Sequence, residues 1–281
     1  MSAPNSRRNL DIAIQHLADE RGEPYIRTRS TIANTIVGQF MPEGVVKGGS
    51  AIKLRLGDGK TRFTTDFDVA RTSSLDGFVG ALRASLEKGW AGFTGRVAPR
   101  EPPHPESIPP QYVMMPFDVK LDYNGKAWCT VELEVGHNEI GDADEADWSI
   151  SPDIVDMFER LGLPEPAPIP LMPLHQQVAQ KLHALSSPGS KRAHDLIDLQ
   201  LLEASGQVDH SKALNTCQRL FAYRQVQPWP PSISVQDGWR NAYDEQRGNL
   251  PVLASVDEAV VWVNEFLRII SESESDSNEN K

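Results

Sequence analysis

Asn124-Gly125 stands between two long runs, Tyr112 to Tyr123 and Lys126 to Val135, and no other stretch restricts the fold as strongly. A tight hairpin turn of the kind that joins antiparallel strands needs positive φ at both central residues, which Asn and Gly supply at least steric cost. The chain therefore contains a β-hairpin, and helices surround it. Leu10, Ile14 and Leu17 recur at helical spacing within Leu10 to Glu20, and Ile32, Ile36 and Phe40 do so within Arg27 to Phe40. Lys47 to Leu56 reads as a short helix opened by Gly-Gly-Ser. After the turn Gly57-Asp58-Gly59, Arg62 to Arg71 reads as a strand, and Leu75 to Lys88 as another helix.

Prolines punctuate what remains. Six lie in residues 99 to 110, which forbids a central strand or helix there and makes the segment a surface connection. Gly136 to Trp148 is acidic and turn-rich, and the five prolines of Pro164 to Pro173 mark a boundary between halves. Beyond it, Leu174 to Leu185, Lys191 to Ala204, Ser211 to Tyr223, Val235 to Glu245 and Val256 to Ile270 carry helical periodicity. The class is α+β, with a first domain at 1–163, a helical domain at 164–270 and a Ser/Glu/Asp/Asn tail at 271–281. That tail cannot bury apolar surface and is expected to be disordered.

At 281 residues and 39% hydrophobic content the chain can bury a substantial core, yet it holds no apolar run of the roughly 18 residues that a membrane helix needs. Its polar start, Met1 to Asn9, has no apolar stretch behind Arg7 and Arg8, so a cytoplasmic protein without membrane contact is expected. Cys129 and Cys217 are far apart and form neither a zinc knuckle nor a disulfide framework. The net charge of −11 argues against nonspecific coating of nucleic acid, but residues 1–71 carry eleven Lys/Arg against eight Asp/Glu, +3 in a chain whose remainder is −14. A local basic face near the Gly48-Gly49-Ser50 and Asp66/Asp68 motif is compatible with that asymmetry.

In Thr65-Asp66-Phe67-Asp68-Val69 the two-residue period of a strand puts both carboxylates on one face and Phe67 and Val69 on the other. Two hard-oxygen donors on one rigid edge suit Mg²⁺, and paired ions about 3.5–4 Å apart clamp the attacking and leaving oxygens in phosphoryl transfer. Alone, such a pair is more often a solvated strand edge. Fifteen residues upstream, Gly48-Gly49-Ser50 follows Val45-Val46-Lys47: the glycines let backbone approach a phosphate, and Ser50 is expected to cap the helix whose N-terminal amides attract anions. Alone, this is often only a helix start. A phosphate cradle followed at short range by an acid pair is more specific than either half.

Lys-Gly-Gly-Ser followed by Arg62-Phe63-Thr64-Thr65-Asp66-Phe67-Asp68 resembles the nucleotidyltransferase signature of the AbiEii/AbiGii toxin family. Leu174 to Leu185 resembles that family's helix with an A-x-K-L-x-A-L core, and Arg192 to Leu199 its R-A-x-D-L-x-D-L segment. The resemblance implies a DNA-polymerase-β-like core with a mixed sheet, followed by a helical half that completes the NTP site. It implies a toxin of type IV toxin-antitoxin or abortive-infection systems, which moves a nucleoside monophosphate from NTP to RNA, the tRNA 3′ end being the expected acceptor. It assigns metal to Asp66 and Asp68, and phosphate contact to Gly48, Gly49 and Ser50. A third carboxylate is expected on a neighbouring strand. Glu132 and Glu134 share one face of Thr130 to Val135, and Glu134 is favoured by its place before the apolar residue that ends the strand.

Lys181 sits beside the apolar stripe of Leu174, Val178, Leu182 and Leu185, where a lysine ordinarily snorkels to solvent. The resemblance makes it a triphosphate clamp oriented by Asp195 and Asp198. Lys53, one turn after Ser50, and Arg62, at the start of the strand, are further expected phosphate contacts. A monomer is expected, with a cognate antitoxin that acts without touching the toxin. Two other readings stay open: transfer to a protein or small molecule, and a catalytically silent protein that keeps the motif as scaffold. The seven histidines form no metal-ligand spacing, and no Walker loop, nucleophile elbow or dinucleotide fingerprint is present.

Overall fold

The computed structural model describes residues 2–102 and 113–273, and the chain divides into two units, Met1–Met172 and Pro173–Lys281. The first unit holds a mixed sheet. Among the described residues its strands are β1 (Gly44–Lys47), β2 (Phe67–Arg71), β3 (Phe93–Pro99), β4 (Met115–Tyr123), β5 (Lys126–His137), β6 (Asp147–Ser149) and β7 (Ile169–Leu171), in the order β3-β4-β5-β2-β1-β7-β6. Its helices are α1 (Arg7–Arg21), α2 (Tyr25–Gln39), α3 (Gly48–Leu56), α4 (Leu75–Lys88) and α5 (Pro152–Arg160).

Asn124 (φ 48°) and Gly125 (φ 73°) make the hairpin turn that their sequence dictates, with Tyr123 facing Lys126 across it. Tyr112 lies outside the described residues, as do residues 103–110 of the proline-rich connection. A bulge shifts the register at Leu121/Asp122, and Trp128 lies beside it, donating its indole N–H to Asp11 of α1 at 2.9 Å. Along β5, Trp128, Val131, Leu133 and Val135 are buried while Thr130, Glu132 and Glu134 stay exposed. The buried row joins Leu10 and Ile14 of α1 and Ile32 and Ile36 of α2 in the core. β3 was not expected; it ends at Pro99 on the sheet's outer edge, where a missing N–H costs nothing.

The strand expected over Arg62 to Arg71 begins only at Phe67. Its first half is drawn to helices instead of to strands. Lys53 Nζ donates to the Thr64 carbonyl at 3.2 Å, Asn34 Nδ2 to the Thr65 carbonyl at 3.4 Å and the Ser50 hydroxyl to the Asp66 carbonyl at 2.5 Å. Three consecutive carbonyls are thus taken by side chains of α2 and α3, all three of them buried. β2 then runs antiparallel to β1 and parallel to β5.

The sequence boundary at 163/164 also moves. Residues 164–172, read as the start of the helical domain, stay with the first unit because Ile169–Leu171 form β7 and Met172 N–H donates to the Val46 carbonyl at 2.8 Å. Between β5 and β7, Ser151 caps α5, with Pro152 in its first turn where an absent N–H is harmless.

The second unit contains α6 (Leu174–Ser186), α7 (His194–Ala204), α8 (His210–Arg224), α9 (Trp239–Arg247) and α10 (Val256–Glu272). α9 starts later than Val235 because Gly238, at φ 78°, is its cap residue. α10 opens on a reciprocal capping box between Ser255 and Glu258 and runs into the expected tail as far as Glu272. The rest of that tail, residues 274–281, lies outside the described residues.

Candidate active site

β1 ends at Lys47 and the chain turns at once into α3, so the first residues of the helix lie against the start of β2. Gly48 makes the turn with φ 64°, and a Cβ there would lie 2.2 Å from Asp68 Oδ2. Any side chain would thus strain the backbone and displace the carboxylate. Gly49 is tight for another reason: a Cβ would come within 3.0 Å of Arg62 Nη2 and 3.3 Å of Thr64. Arg62 therefore sits at the N-terminal end of α3, where free backbone N–H groups and the helix dipole already favour an anion.

The acids gather on the same edge. Asp68 faces Lys47 on one side and Glu134 on the other, in the registers of β1–β2 and β2–β5. Asp66, one residue before β2, is exposed and accepts the Thr65 hydroxyl at 3.1 Å. The Glu134 carboxyl is held above the ordinary carboxylate range, first by partial removal from water and then by the negative charges of Asp68 and Asp66, with Lys47 and Arg100 opposing. Glu132 has a different neighbourhood. It pairs with Arg100 Nη1 at 2.9 Å and lies opposite Asp118, away from the Asp68 register.

This is a hard-oxygen donor set with a local excess of negative charge, the chemistry that suits a divalent cation. Among the described residues, no three His, Cys, Asp or Glu side chains converge to hold an ion by themselves. Mg²⁺ is ordinarily held by one or two carboxylates together with waters and substrate phosphates, so these residues fit an ion that arrives with a triphosphate.

Two expected phosphate contacts are placed elsewhere. Ser50 is not the helix cap, a position that falls to Lys47, and its hydroxyl accepts from Asn34 at 3.2 Å while it holds the Asp66 carbonyl. Lys53 is 1% exposed and turns inward, with its ammonium 3.6 Å from Asp58 and 5.5 Å above the Phe63 ring. Burial pulls its pKa down to about 8 against the opposing charge of Asp58, which it shares with Arg27 and Thr31. Both residues hold the segment that carries Asp66 instead of facing its solvent side.

The sequence reading passed over Lys47 and Asn34. Lys47, immediately before the glycine pair, extends to Gly136 on β5, where a Cβ would lie 3.1 Å from its Nζ, and so brings a cation beside Glu134. Its position in the motif was the available signal. Asn34 gave none, being one polar residue on a buried helical face.

In the second unit, Lys181 is 4% exposed and its ammonium donates at 2.7 Å to Asp195 and at 2.7 Å to Asp198. Arg192 Nε donates to the other oxygen of Asp195 at 2.8 Å. Burial alone would raise the Asp195 pKa, but Lys181, Arg192 and His194 together hold it below the carboxylate range.

The sequence matches the family described as nucleotidyl transferase AbiEii toxin, type IV toxin-antitoxin system, over residues 36–261. The chain belongs to the AbiEii toxin family. It is accordingly a nucleotidyltransferase, of a family that uses NTP and a divalent metal and is paired with an antitoxin. Among solved structures, the nucleotidyltransferase toxin MenT4 from Mycobacterium tuberculosis is 15% identical, with a TM-score of 0.58 over 95% of this chain and 91% of its own, and shares the α+β fold. JHP933 from Helicobacter pylori is 13% identical over 87% of this chain and 90% of its own, with a TM-score of 0.45. The antibiotic-resistance factor ANT(2'')-Ia is 17% identical over 77% and 91%, at 0.33. No curated protein matches the sequence. No described helix is long and apolar enough to cross a membrane.

Proposed function

We propose that this toxin transfers a nucleoside monophosphate from NTP to a hydroxyl of RNA, the tRNA 3′ end, with Mg²⁺ as its metal. The observation that carries this reading is the Asp68–Glu134 cross-strand pair flanked by Asp66, set beside a helix N-terminus that only glycine can form at residue 48. Asp66, Asp68 and Glu134 would hold the metal only together with the substrate's phosphates and water, and the α3 amides with Gly49 and Arg62 would receive the phosphates. Bound there, the metal would favour loss of the acceptor's proton and neutralise charge on the leaving pyrophosphate. The acceptor oxygen forms a bond to the α-phosphorus, the bond from that phosphorus to the bridging oxygen breaks, and pyrophosphate departs with the electron pair. The hydroxyl proton passes to solvent. No covalent enzyme intermediate is required, because positioning and charge supply the catalysis.

Glu132 does not serve as the third carboxylate in this reading, since Arg100 already neutralises it. The toxin works as a monomer, and its antitoxin acts without a stable complex; co-elution of the two in gel filtration would count against that. Purified protein incubated with total tRNA, Mg²⁺ and each α-labelled NTP tests the reaction. Label in tRNA with at least one nucleotide is expected. Label found instead on protein, or in no acceptor, overturns the RNA reading.

A further inference from the structure

β5 is longer than its parallel partner: residues 126–132 lie beyond the stretch, beginning at Leu133, that pairs with β2. Along that overhang, between β5 and α2, is a cavity of about 230 Å³, with polar groups of Asn34, Thr65, Thr130 and Glu132 and an apolar wall from Ala33 and Val131. Thr65 adjoins Asp66, and Glu132 is on the same strand face as Glu134, so the cavity opens beside the carboxylates. It lies on their β5 side, whereas Gly48 and the start of α3 lie on their β1 side. In a phosphoryl transfer the entering oxygen and the leaving pyrophosphate are roughly in line on opposite sides of the phosphorus. With the triphosphate at α3, the acceptor must come from the cavity side. Sites for whole small molecules run from about 300 Å³ upward, so a cavity of this size suits one nucleobase with mixed polar and apolar edges.

The surface beyond the cavity has the character of a single-strand track. Arg29, on the cavity wall, stacks over Trp128 at 5.7 Å and over Tyr25 at 6.0 Å, and donates to the Trp128 carbonyl at 2.8 Å. Tyr25 in turn borders an open depression that also holds Arg7, Arg8 and Asp11. Arg7 keeps half of its side chain in solvent even while paired with Asp11 at 3.4 Å. Trp128 itself is buried, which leaves Tyr25, lining the depression, as the aromatic face. An aromatic with cations on either side is what unpaired bases and their phosphates require, and Arg7, Arg8, Tyr25 and Arg29 all lie within residues 1–71, whose net charge is +3.

We propose that the cavity between α2 and β5 takes the terminal nucleoside of a single-stranded RNA acceptor, with Tyr25 stacking an upstream base and Arg7 and Arg8 holding upstream phosphates. This rests on the nucleotidyl-transfer reading and names the acceptor's route into that site. Two variants of the full chain test it, Thr130→Trp, which fills the cavity from an exposed strand position, and the double variant Arg7→Gln, Arg8→Gln on the helix surface. KM for a short RNA with a single-stranded 3′ end is measured beside KM for NTP, with circular dichroism to check folding. Thr130→Trp raises the RNA KM at least about tenfold and leaves the NTP KM within about twofold. The arginine variant raises the RNA KM and flattens its log–log dependence on salt by about one to two, one for each phosphate that the arginines no longer hold. Folded variants that both keep the wild-type RNA KM and salt slope overturn the proposal. Failure of the underlying reading shows itself differently, as wild-type protein that labels no RNA with any NTP.

Discussion

Lys53 and Lys181 have the same side chain, nearly the same burial at 1% and 4%, and the same expected role at the triphosphate, yet they are held in opposite ways. Lys53 has one carboxylate, at 3.6 Å and shared with Arg27, so the loss of hydration wins and its pKa falls to about 8. Lys181 sits between two carboxylates at 2.7 Å each, and the cluster holds Asp195 below the normal carboxylate range. The difference lies in what each ammonium is for. Lys53 supplies a donor to a backbone carbonyl and a distant charge to an acid that Arg27 already holds; Lys181 supplies the cation that two buried acids share, one of which Arg192 also contacts.

The largest effect follows from that charge. Lys181→Met leaves Asp195 and Asp198 inside the second unit without their shared cation, and we expect a loss of about 3–5 kcal/mol in chemical denaturation. Lys53→Met, by contrast, leaves Asp58 with Arg27 at 3.3 Å and Thr31 at 2.8 Å, for an expected cost of about 1 kcal/mol, with kcat falling more than stability because the Thr64 carbonyl is released. Equal destabilisation by the two substitutions would erase the distinction between them.

The pH dependence sharpens the contrast with smaller effects. Lys53 has a folded pKa of about 8 against an ordinary 10.5, so between those values the unfolded chain binds the proton that the folded chain has given up. Stability then rises with pH across that window, and the rise is absent in Lys53→Met. Asp195 has the same sign in a different window. Its pKa is depressed on folding, so the stability it contributes is present above 3.8 and is lost as pH falls below, a loss that Lys181→Met reduces. Melting temperatures measured from pH 3 to about pH 10.5 for both variants check the two windows together.

What was legible in the sequence was local. The hairpin followed from Asn124-Gly125, and the helices of the second unit from their apolar period, because turn geometry and helical faces are set by residues a few positions apart. The Asp66/Asp68 alternation was legible for the same reason, with Phe67 and Val69 buried on the opposite face. The start of β2 was not, since Asn34, Ser50 and Lys53 reach it from two helices and take the backbone carbonyls that a strand would use. Nor did periodicity choose between Glu132 and Glu134, which share a face. The choice depends on parallel pairing between β2 and β5, more than sixty residues apart, and on Arg100. β7 was not legible because Pro170 and the prolines on either side of the strand read as a linker until β1 and β6 are in place beside it.

The account stands on the claim that Asp68 and Glu134, opposite one another, form the transfer centre while Glu132 does not. The most direct measurement is the rate of label transfer from α-labelled NTP for Asp68→Asn, Glu134→Gln and Glu132→Gln, each shown to be folded. We expect kcat to fall at least about 100-fold in the first two, the scale of removing one preorganised electrostatic group, and to stay within about threefold of wild type in the third. Near-normal transfer by Glu134→Gln, or a loss in Glu132→Gln as deep as in Asp68→Asn, would contradict it.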